Sequence, residues 1–149
     1  MNFTTFQTNL TTLQNGIAIT APVALQVKRT YWGAPPVAIT DLPCVINTLT
    51  ESERDLGFGT RDQKVTVSVQ LLVAKALVED TRSSLLATAF WFAAKNRFDS
   101  DLTIGGAVSL SRLLGAQPTV PVLLVVGGQA YVGFDAVLEI QDAENFTFG

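Results

Sequence analysis

The stretch DQKVTVSVQLLVAK, Asp62–Lys75, decides the fold of this chain. Successive side chains of a strand point to opposite sides, so every second residue shares a face. One face is apolar throughout: Val65, Val67, Val69, Leu71 and Val73. The other face begins polar and ends apolar: Thr66, Ser68, Gln70, Leu72 and Ala74. The stretch therefore predicts a strand with one buried face, and it raises the question of what covers Leu72 and Ala74.

The residues before this stretch predict its partner strand. CVINTLT, residues 44–50, also alternates, and the charged segment ESERDLGFGTRD, residues 51–62, separates the two runs. Two such runs joined by a polar segment with glycines predict a long β-hairpin. Charged side chains of the loop are candidate contacts with a partner, with a solvated loop tip as the alternative: Glu51, Glu53, Arg54, Asp55 and Arg61.

The end of the chain predicts a second hairpin. VPVLLVV and AYVGFDAVLEIQDA flank Gly127-Gly128, a pair that suits a tight turn between antiparallel strands. The first arm is apolar on both faces. In the second arm alternate residues predict one buried side: Val132, Phe134, Ala136, Leu138 and Ile140.

Two segments have helical periodicity. Apolar residues at spacings of three and four predict a helix that ends at Asn15-Gly16, two residues that tolerate the left-handed conformation: Phe3, Phe6, Leu10, Leu13 and Ile17. The clearest helix lies in EDTRSSLLATAFWFAAKNRFDS, residues 79–100, with Asp80 or Thr81 as its cap and Lys95 and Arg97 near its end. At 100° per residue its buried arc is Leu85, Leu86, Ala89, Phe90, Phe92 and Ala93.

Aromatic residues outside these faces are candidate contacts. Trp91 falls on the opposite side of the helix with Phe98 adjoining, and the alternative is a Trp lying over its own helix. Residues 17–43 contain Pro22, Pro35, Pro36 and Pro43, which predicts an extended arm with one short strand near residues 23–29. In this arm Tyr31 and Trp32 either contact a partner or cap the core.

Hairpins with helices between them predict an α+β fold, a mainly antiparallel sheet with helices packed on one face. The expected single domain, residues 1–149, comprises an N-terminal helix (1–16), a Pro-rich arm (17–43) and the sheet with its main helix (44–149). Residues 107–114, after Gly105-Gly106, favour a strand with a glycine bulge, and a helix is the alternative.

Composition argues against several classes of function. The 149 residues include no His and one Cys, Cys44 in an apolar setting, so the usual general base, metal ligand and disulfide are missing. A net charge of −3 without clustered Lys and Arg argues against specific nucleic-acid binding. No apolar run approaches the roughly 20 residues of a membrane span, and no secretory start is present. We expect no catalysis and no cofactor, and a chain made in the cytoplasm. An acid-only hydrolase using Asp99 or Asp135 is a weaker alternative.

The whole pattern resembles the tail terminator proteins of long-tailed bacteriophages. The resemblance covers the short N-terminal helix, the Pro-rich arm, DLPCVINTLTES followed by KVTVSVQLLVAK, one long helix and the closing PVLLVVGGQAYVGFDAVLEI. It rests on element order and hydrophobic pattern, and the long ESERDLGFGTRD segment and long arm depart from it.

The resemblance implies a virion protein that forms a ring, usually a hexamer, which caps the tail tube and joins it to the head-side connector or completion protein. DNA would pass through the ring without specific binding. The candidate contacts then become subunit or partner contacts, and Thr66, Ser68 and Gln70 would face the lumen. Leu72 and Ala74 would meet either an adjacent subunit or the Pro-rich arm. The alternatives are another ring protein of the same junction, such as a head completion or tail tube protein, and a small-molecule-binding domain with its pocket between helix and sheet.

Overall fold

The computed structural model describes residues 2–33, 38–57, 60–76, 81–115 and 122–142, with the side chains of 50–64, 81 and 142 left out. Two helices and eight strands follow one another along these residues. In order they are α1 (Phe3–Asn15), β1 (Ala18–Ile19), β2 (Leu25–Gln26), β3 (Arg29–Trp32), β4 (Cys44–Gly57), β5 (Thr60–Lys75), α2 (Thr81–Asp99), β6 (Leu110–Gly115), β7 (Val122–Val126) and β8 (Gln129–Asp142). The predicted α+β class is confirmed.

The main sheet is built around β5, the strand that contains the opening stretch. Its strand order is β3-β4-β5-β8-β6, and β7 also pairs with β8, further along the same edge as β6. β3 runs parallel to β4, and the other pairings are antiparallel. β1 and β2 form a separate two-stranded sheet. Both predicted hairpins, β4–β5 and β7–β8, are confirmed, the second with positive φ at Gly127 and Gly128.

One face of the main sheet carries both helices, and we call the apolar layer between the sheet and the helices the main core. The apolar side of β5 lies there, at most 5% exposed from Val65 to Val73. The predicted buried side of β8 faces the same core, from Val132 to Ile140. Fully buried Phe6, Phe90 and Phe134 fill the space between helices and sheet. Each Å² of apolar surface that this layer removes from water favours folding by roughly 25 cal/mol.

The opposite face of the sheet has its own apolar cluster at one end, which we call the second core. Its buried members are Ile39, Cys44, Ile46, Leu72, Leu124, Val126 and Tyr131. The Pro-rich arm contributes Ile39 and the partly buried Tyr31 and Leu42. Leu72 is therefore covered by the chain itself.

Ala74 does not join Leu72, because the pairing of β5 with β8 shifts register between Leu72 and Ala74. Such a bulge inserts one extra residue and reverses the facing of the residues after it. Ala74 consequently packs against the main core. The expectation that both residues share one face was wrong.

The predicted orientation of α2 needs correction. Leu85 and Phe92, placed in the buried arc by the sequence, are 59% and 62% exposed. Leu86 and Phe90 of the predicted arc are buried, and the other buried side chains of α2 are Ser83, Ala87, Ala94 and Phe98. Apolar residues occur on nearly every side of LLATAFWFAA, so periodicity could not fix the rotation of the helix.

α1 begins and ends with identifiable hydrogen bonds. Asn2 caps its start, where the side chain accepts from the N–H of Thr5 at 3.0 Å. The predicted stop at Asn15-Gly16 is confirmed, but Gly16 has φ −85° and is not left-handed. Arg97 of α2 instead completes this end, because its Nε donates to the carbonyl of Leu13 at 3.0 Å.

In the charged segment, residues 51–57 and 60–62 are strand and not loop. β4 continues to Gly57 and β5 begins at Thr60, with Glu53 opposite Lys64 and Leu56 opposite Arg61 in the register. Residues 58 and 59 lie outside the described residues. An antiparallel sheet can keep one face in water, so the charges did not exclude strand structure.

Two further segments differ from expectation in detail. The arm holds three short strands, β1 to β3, where the sequence predicted one. The strand predicted after Gly105-Gly106 is confirmed but starts only at Leu110. The two glycines belong to a turn with φ of 65° and 81° that precedes it, not to a bulge.

Candidate interaction surfaces

The sheet face opposite the helices is partly uncovered, and we call this uncovered part the open face. Thr66, Ser68 and Gln70 of β5 lie there, each half-buried. In the register Ser68 stands between Thr48 of β4 and Val137 of β8. The three residues predicted to face a lumen therefore share one surface of the monomer, made largely of neutral side chains.

Among the described side chains, the charged groups of the open face include Asp135, Glu139 and Arg112, with Lys75 opposite Tyr131 at the end of β5. Asp135 pairs with Gln70 across β5–β8, and Arg112 lies opposite Glu139 across β6–β8. Partial burial of Asp135 raises the pKa of its carboxyl above the ordinary value of 3.8. A shallow depression between β6 and β8 is lined by Leu110, Ser111, Arg112, Glu139 and Gln141. This surface carries little net charge.

Two of the predicted contact residues lie inside the molecule. Leu72 is fully buried in the second core, and Phe98 is 2% exposed in the main core. Neither side chain can reach a partner while the chain is folded. The prediction that Phe98 is a contact residue was wrong, and Leu72 meets the Pro-rich arm, one of its two expected neighbours. Phe98 comes inward because α2 is rotated from the expected orientation, and Leu72 because the arm folds over it.

The three other aromatic candidates contact their own chain. Trp32 donates from Nε1 to Oγ1 of Thr11 at 2.9 Å, and its ring meets Phe6 with centroids 6.1 Å apart. Tyr31 packs against the second core beneath the guanidinium of Arg29, 4.7 Å from its ring centroid. Both residues match the alternative interpretation, in which they cap a core.

Trp91 lies between α2 and the sheet and not on the far side of the helix. Its ring stands edge-on to Phe134 with centroids 5.1 Å apart, and Nζ of Lys95 lies 5.8 Å from its centroid. Part of the side chain still reaches the surface. Trp91 is mainly a packing residue in the monomer.

The charged candidates fall on the β4–β5 ribbon. The backbones of Glu51, Glu53, Arg54 and Asp55 belong to β4 and that of Arg61 to β5. Their side chains lie outside the described residues. In the described ladder, the pairs 55–62, 56–61 and 57–60 lie beyond Asp142, the last described residue of β8.

Exposed apolar side chains mark surfaces that the sequence did not single out. On α2, Leu85 and Phe92 are seven residues apart and so share one side of the helix. On β7, Leu123 is 67% and Val125 72% exposed. A third group, Leu102 and Leu110, adjoins the start of β6, where the N–H of Ser111 donates to the carbonyl of Leu102. Such patches commonly mark protein contacts.

For β7 the sequence did contain a signal. VPVLLVV is apolar at consecutive positions, although a strand buried on one face needs only alternate ones. Val122, Leu124 and Val126 face the second core. Leu123 and Val125 therefore lie on the sheet face that carries the helices, but the helices do not cover them. On α2, LLATAFWFAA likewise holds more apolar residues than one buried side needs, and the exposed ones are Leu85 and Phe92.

The described residues also bear on chemistry. Cys44 is fully buried in the second core, where burial, and next the charge of Asp41, raise the pKa of the thiol to about 12. Among the described side chains, His, Cys, Asp and Glu form no group of three or more that could hold a metal ion. In the same part of the chain, neither helix is both long and apolar enough to cross a membrane.

Comparison of the sequence with family models and curated proteins identifies no relative. No protein-family model matches this chain. A search of curated proteins finds no protein similar to it in sequence.

Proposed function

We propose that this chain is a non-catalytic virion protein that assembles with itself into a ring, and that the ring caps a bacteriophage tail tube and joins it to the head-side connector. The observation that carries the proposal is the distribution of exposed apolar side chains over separate surfaces of one small domain. A subunit of a ring contacts each of its two neighbours through a different patch, and it needs further surface for partners above and below.

The outer side of α2 is the first such surface. Leu85 and Phe92 are both more than half exposed, while neighbouring Phe90 is fully buried. Leaving two large apolar side chains in water forgoes roughly 1.5–3 kcal/mol for each that a partner could bury. Leu102 and Leu110, which adjoin the start of β6, form a second apolar surface away from α2.

The open face suits the wall of a DNA channel. Thr66, Ser68 and Gln70 offer neutral groups, and the described charges of this face do not form a cluster of cations. A wall that lets DNA pass must not present clustered cations, because phosphate neutralisation dominates nucleic-acid affinity. The helices lie on the other face, so the sheet is free to face inward.

Two alternatives remain as proposals of lower rank. Another ring protein of the same junction, such as a tail tube or head completion protein, would use the same surfaces. A small-molecule-binding domain would need space between helix and sheet, but fully buried Phe6, Phe90, Phe134 and Leu138 occupy that layer. The packing therefore favours the ring over the ligand-binding domain.

Mixing the purified chain with tail tubes tests the proposal. We expect a ring-sized species by native mass spectrometry, and tubes with one end capped and no longer elongating by electron microscopy. A chain that stays monomeric at high concentration and leaves tube elongation unchanged would refute the proposal. Uncapped tubes that incorporate the chain along their length would favour a tube protein.

A matched pair of variants tests the surface on α2. Phe92→Lys places a charge on the exposed apolar side, and Asn96→Lys places the same charge one turn further along the same side, at an exposed polar residue. We expect Phe92→Lys to raise the protein concentration needed for ring formation at least tenfold. Asn96→Lys should leave this concentration near the wild-type value. Circular dichroism confirms that both variants fold.

A further inference from the structure

The outer edge of β7 combines two features that rarely occur together on a free strand. Among the described residues no strand pairs with β7 on the side away from β8, so its outer N–H and C=O groups lack a ladder partner there. Its side chains Leu123 and Val125 are also the two most exposed large apolar side chains of the described residues. An open apolar edge is a template for another strand.

The usual protections of an edge strand are missing from β7. Natural edges carry a charge, a proline or a bulge that discourages pairing. Within Val122–Val126 every residue is Val or Leu, and the register with β8 has no shift. The sequence contains no charged residue from Leu113 to Phe134. A partner strand for this edge must therefore be apolar as well.

The charge pattern of the chain limits which strand of a second copy can fill this role. β6 also ends the sheet, but it carries Arg112 and its outer side is partly occupied, because the N–H of Ser111 donates to the carbonyl of Leu102. The outer edge of β4 beyond β3 is open as well, but its sequence TESERDLG, residues 50–57, is strongly charged. Placing it beside β7 would set charges against Leu and Val. β7 itself offers Leu and Val to a second β7, and antiparallel pairing about a two-fold axis makes such an edge self-complementary.

We propose that β7 of one copy pairs antiparallel with β7 of a second copy, so that the two main sheets join into one across a two-fold axis. If the axis passes Leu124, then Leu124 faces its own equivalent and Leu123 faces Val125 of the partner copy. The exposed side chains of each copy then cover those of the other on the helix side. On the opposite side the two second cores become neighbours, because Leu124 and Val126 belong to them.

This contact goes beyond the proposed function and does not depend on it. A two-fold contact uses the same edge on both partners, so it links subunits in pairs and cannot by itself close a ring. A chain that forms no ring could still pair through β7, and a ring could form from α2 and other surfaces without this pair. The two proposals therefore fail separately.

The first experiment measures the association of the full chain by sedimentation velocity over a range of concentrations. We expect a reversible step in which two copies associate, beside any ring that forms through other surfaces. Leu123→Lys should raise the dissociation constant of this step at least ~10-fold, because a lysine would face Val125 of the partner copy. The control is Asn96→Lys, which places the same charge at an exposed polar residue of α2 and should leave the dimer intact. A wild-type chain with no dimer, or a dimer equally weakened by both variants, would overturn the proposal.

The second experiment tests the register by disulfide trapping. Cα atoms opposite each other in an antiparallel pair lie about 4.5–5.5 Å apart, within the range of a disulfide. Fully buried Cys44 is protected from the oxidant. Mixed Leu123→Cys and Val125→Cys proteins should form a crosslinked dimer, and each variant alone should form far less.

A third mixture separates the two-fold pair from head-to-tail contact. Leu49 lies near the open edge of β4 and is 46% exposed. A crosslink between Leu49→Cys and Val125→Cys proteins would show that β7 meets the β4 edge and would overturn the two-fold arrangement. Absence of that crosslink beside a strong 123–125 crosslink is the expected result.

Discussion

Gln14 and Asn47 exchange two hydrogen bonds in the interior of the protein. Nε2 of Gln14 donates to Oδ1 of Asn47 at 2.8 Å, and Nδ2 of Asn47 donates to Oε1 of Gln14 at 2.6 Å. Both residues are 0% exposed. Buried amides are costly without partners, and here each satisfies the other. The pair therefore fixes the last turn of α1 against β4.

The first prediction is that the two amides are strongly coupled. Gln14→Leu and Asn47→Leu should each lower the free energy of unfolding by about 1–3 kcal/mol, because each leaves one buried amide unsatisfied. The double variant should cost less than the sum of the single variants, with a coupling of at least ~1 kcal/mol. Urea unfolding of the four proteins measures this cycle. Strictly additive losses would show that the hydrogen bonds contribute nothing beyond packing.

The second prediction concerns Gly133, which lies opposite Leu72 at the bulge of β5. A Cβ at this position would collide with the carbonyl oxygen of Leu71 and lie 3.2 Å from the Cα of Leu72. Both obstacles are backbone atoms and cannot rotate away. Gly133→Ala should therefore lower the free energy of unfolding by more than ~3 kcal/mol or prevent folding.

Gly128 provides the matched control for that variant. It has φ +80° in the β7–β8 turn, and a Cβ there would meet nothing within 4 Å. Gly128→Ala therefore carries only the strain of a left-handed alanine, about 1–2 kcal/mol. In thermal unfolding, Gly133→Ala should have a clearly lower Tm than Gly128→Ala. Equal losses would mean that β5 moves away from β8 at little cost.

Strand patterns were more informative than helix patterns in this sequence. The alternation of Val65 to Val73 and of Val132 to Ile140 predicted both buried faces correctly, because a period of two leaves only two choices. On α2 the rotation was wrong, since apolar residues nearly surround the helix and many rotations bury a similar area. The bulge at Leu72 and the amide pair of Gln14 depend on contacts distant in sequence, which no local pattern records.

The third prediction concerns Arg97, whose Nε donates to the carbonyl of Leu13 at the end of α1. A cation at a helix C-terminus also interacts favourably with the helix dipole. Arg97→Ala should lower the free energy of unfolding by about 1–2 kcal/mol, from one charged hydrogen bond and the dipole. Arg97→Lys should recover part of this loss, because it keeps the charge without the same donor geometry.

Arg82 serves as the control for Arg97 in the same helix. Its exposed side chain lies in the first turn of α2, where a cation opposes the dipole. Arg82→Ala should therefore change stability by no more than about 0.5 kcal/mol in either direction. If both alanine variants cost the same, the contact between α2 and α1 at Leu13 does not stabilise the fold.

The fourth prediction is a pH dependence that originates at Asp135. Burial raises the pKa of this carboxyl in the folded chain above its ordinary value of 3.8. The folded protein therefore binds the proton more tightly than the unfolded one, which favours folding below pH 3.8 and loses that advantage as pH rises through the folded pKa. Asp135→Asn, which stays neutral, should gain stability relative to wild type as pH rises from about 3 to 7.

Urea unfolding of both proteins at several pH values measures this difference. Glu139→Gln is the control, because it removes one negative charge from the same strand and the same face. We expect the difference in free energy of unfolding between Asp135→Asn and wild type to be small near pH 3 and to grow toward pH 7. This growth should exceed that of the difference between Glu139→Gln and wild type. A gap that stays constant over this range would show that Asp135 titrates alike in the folded and unfolded chains, and that partial burial on the open face does not disfavour its charge.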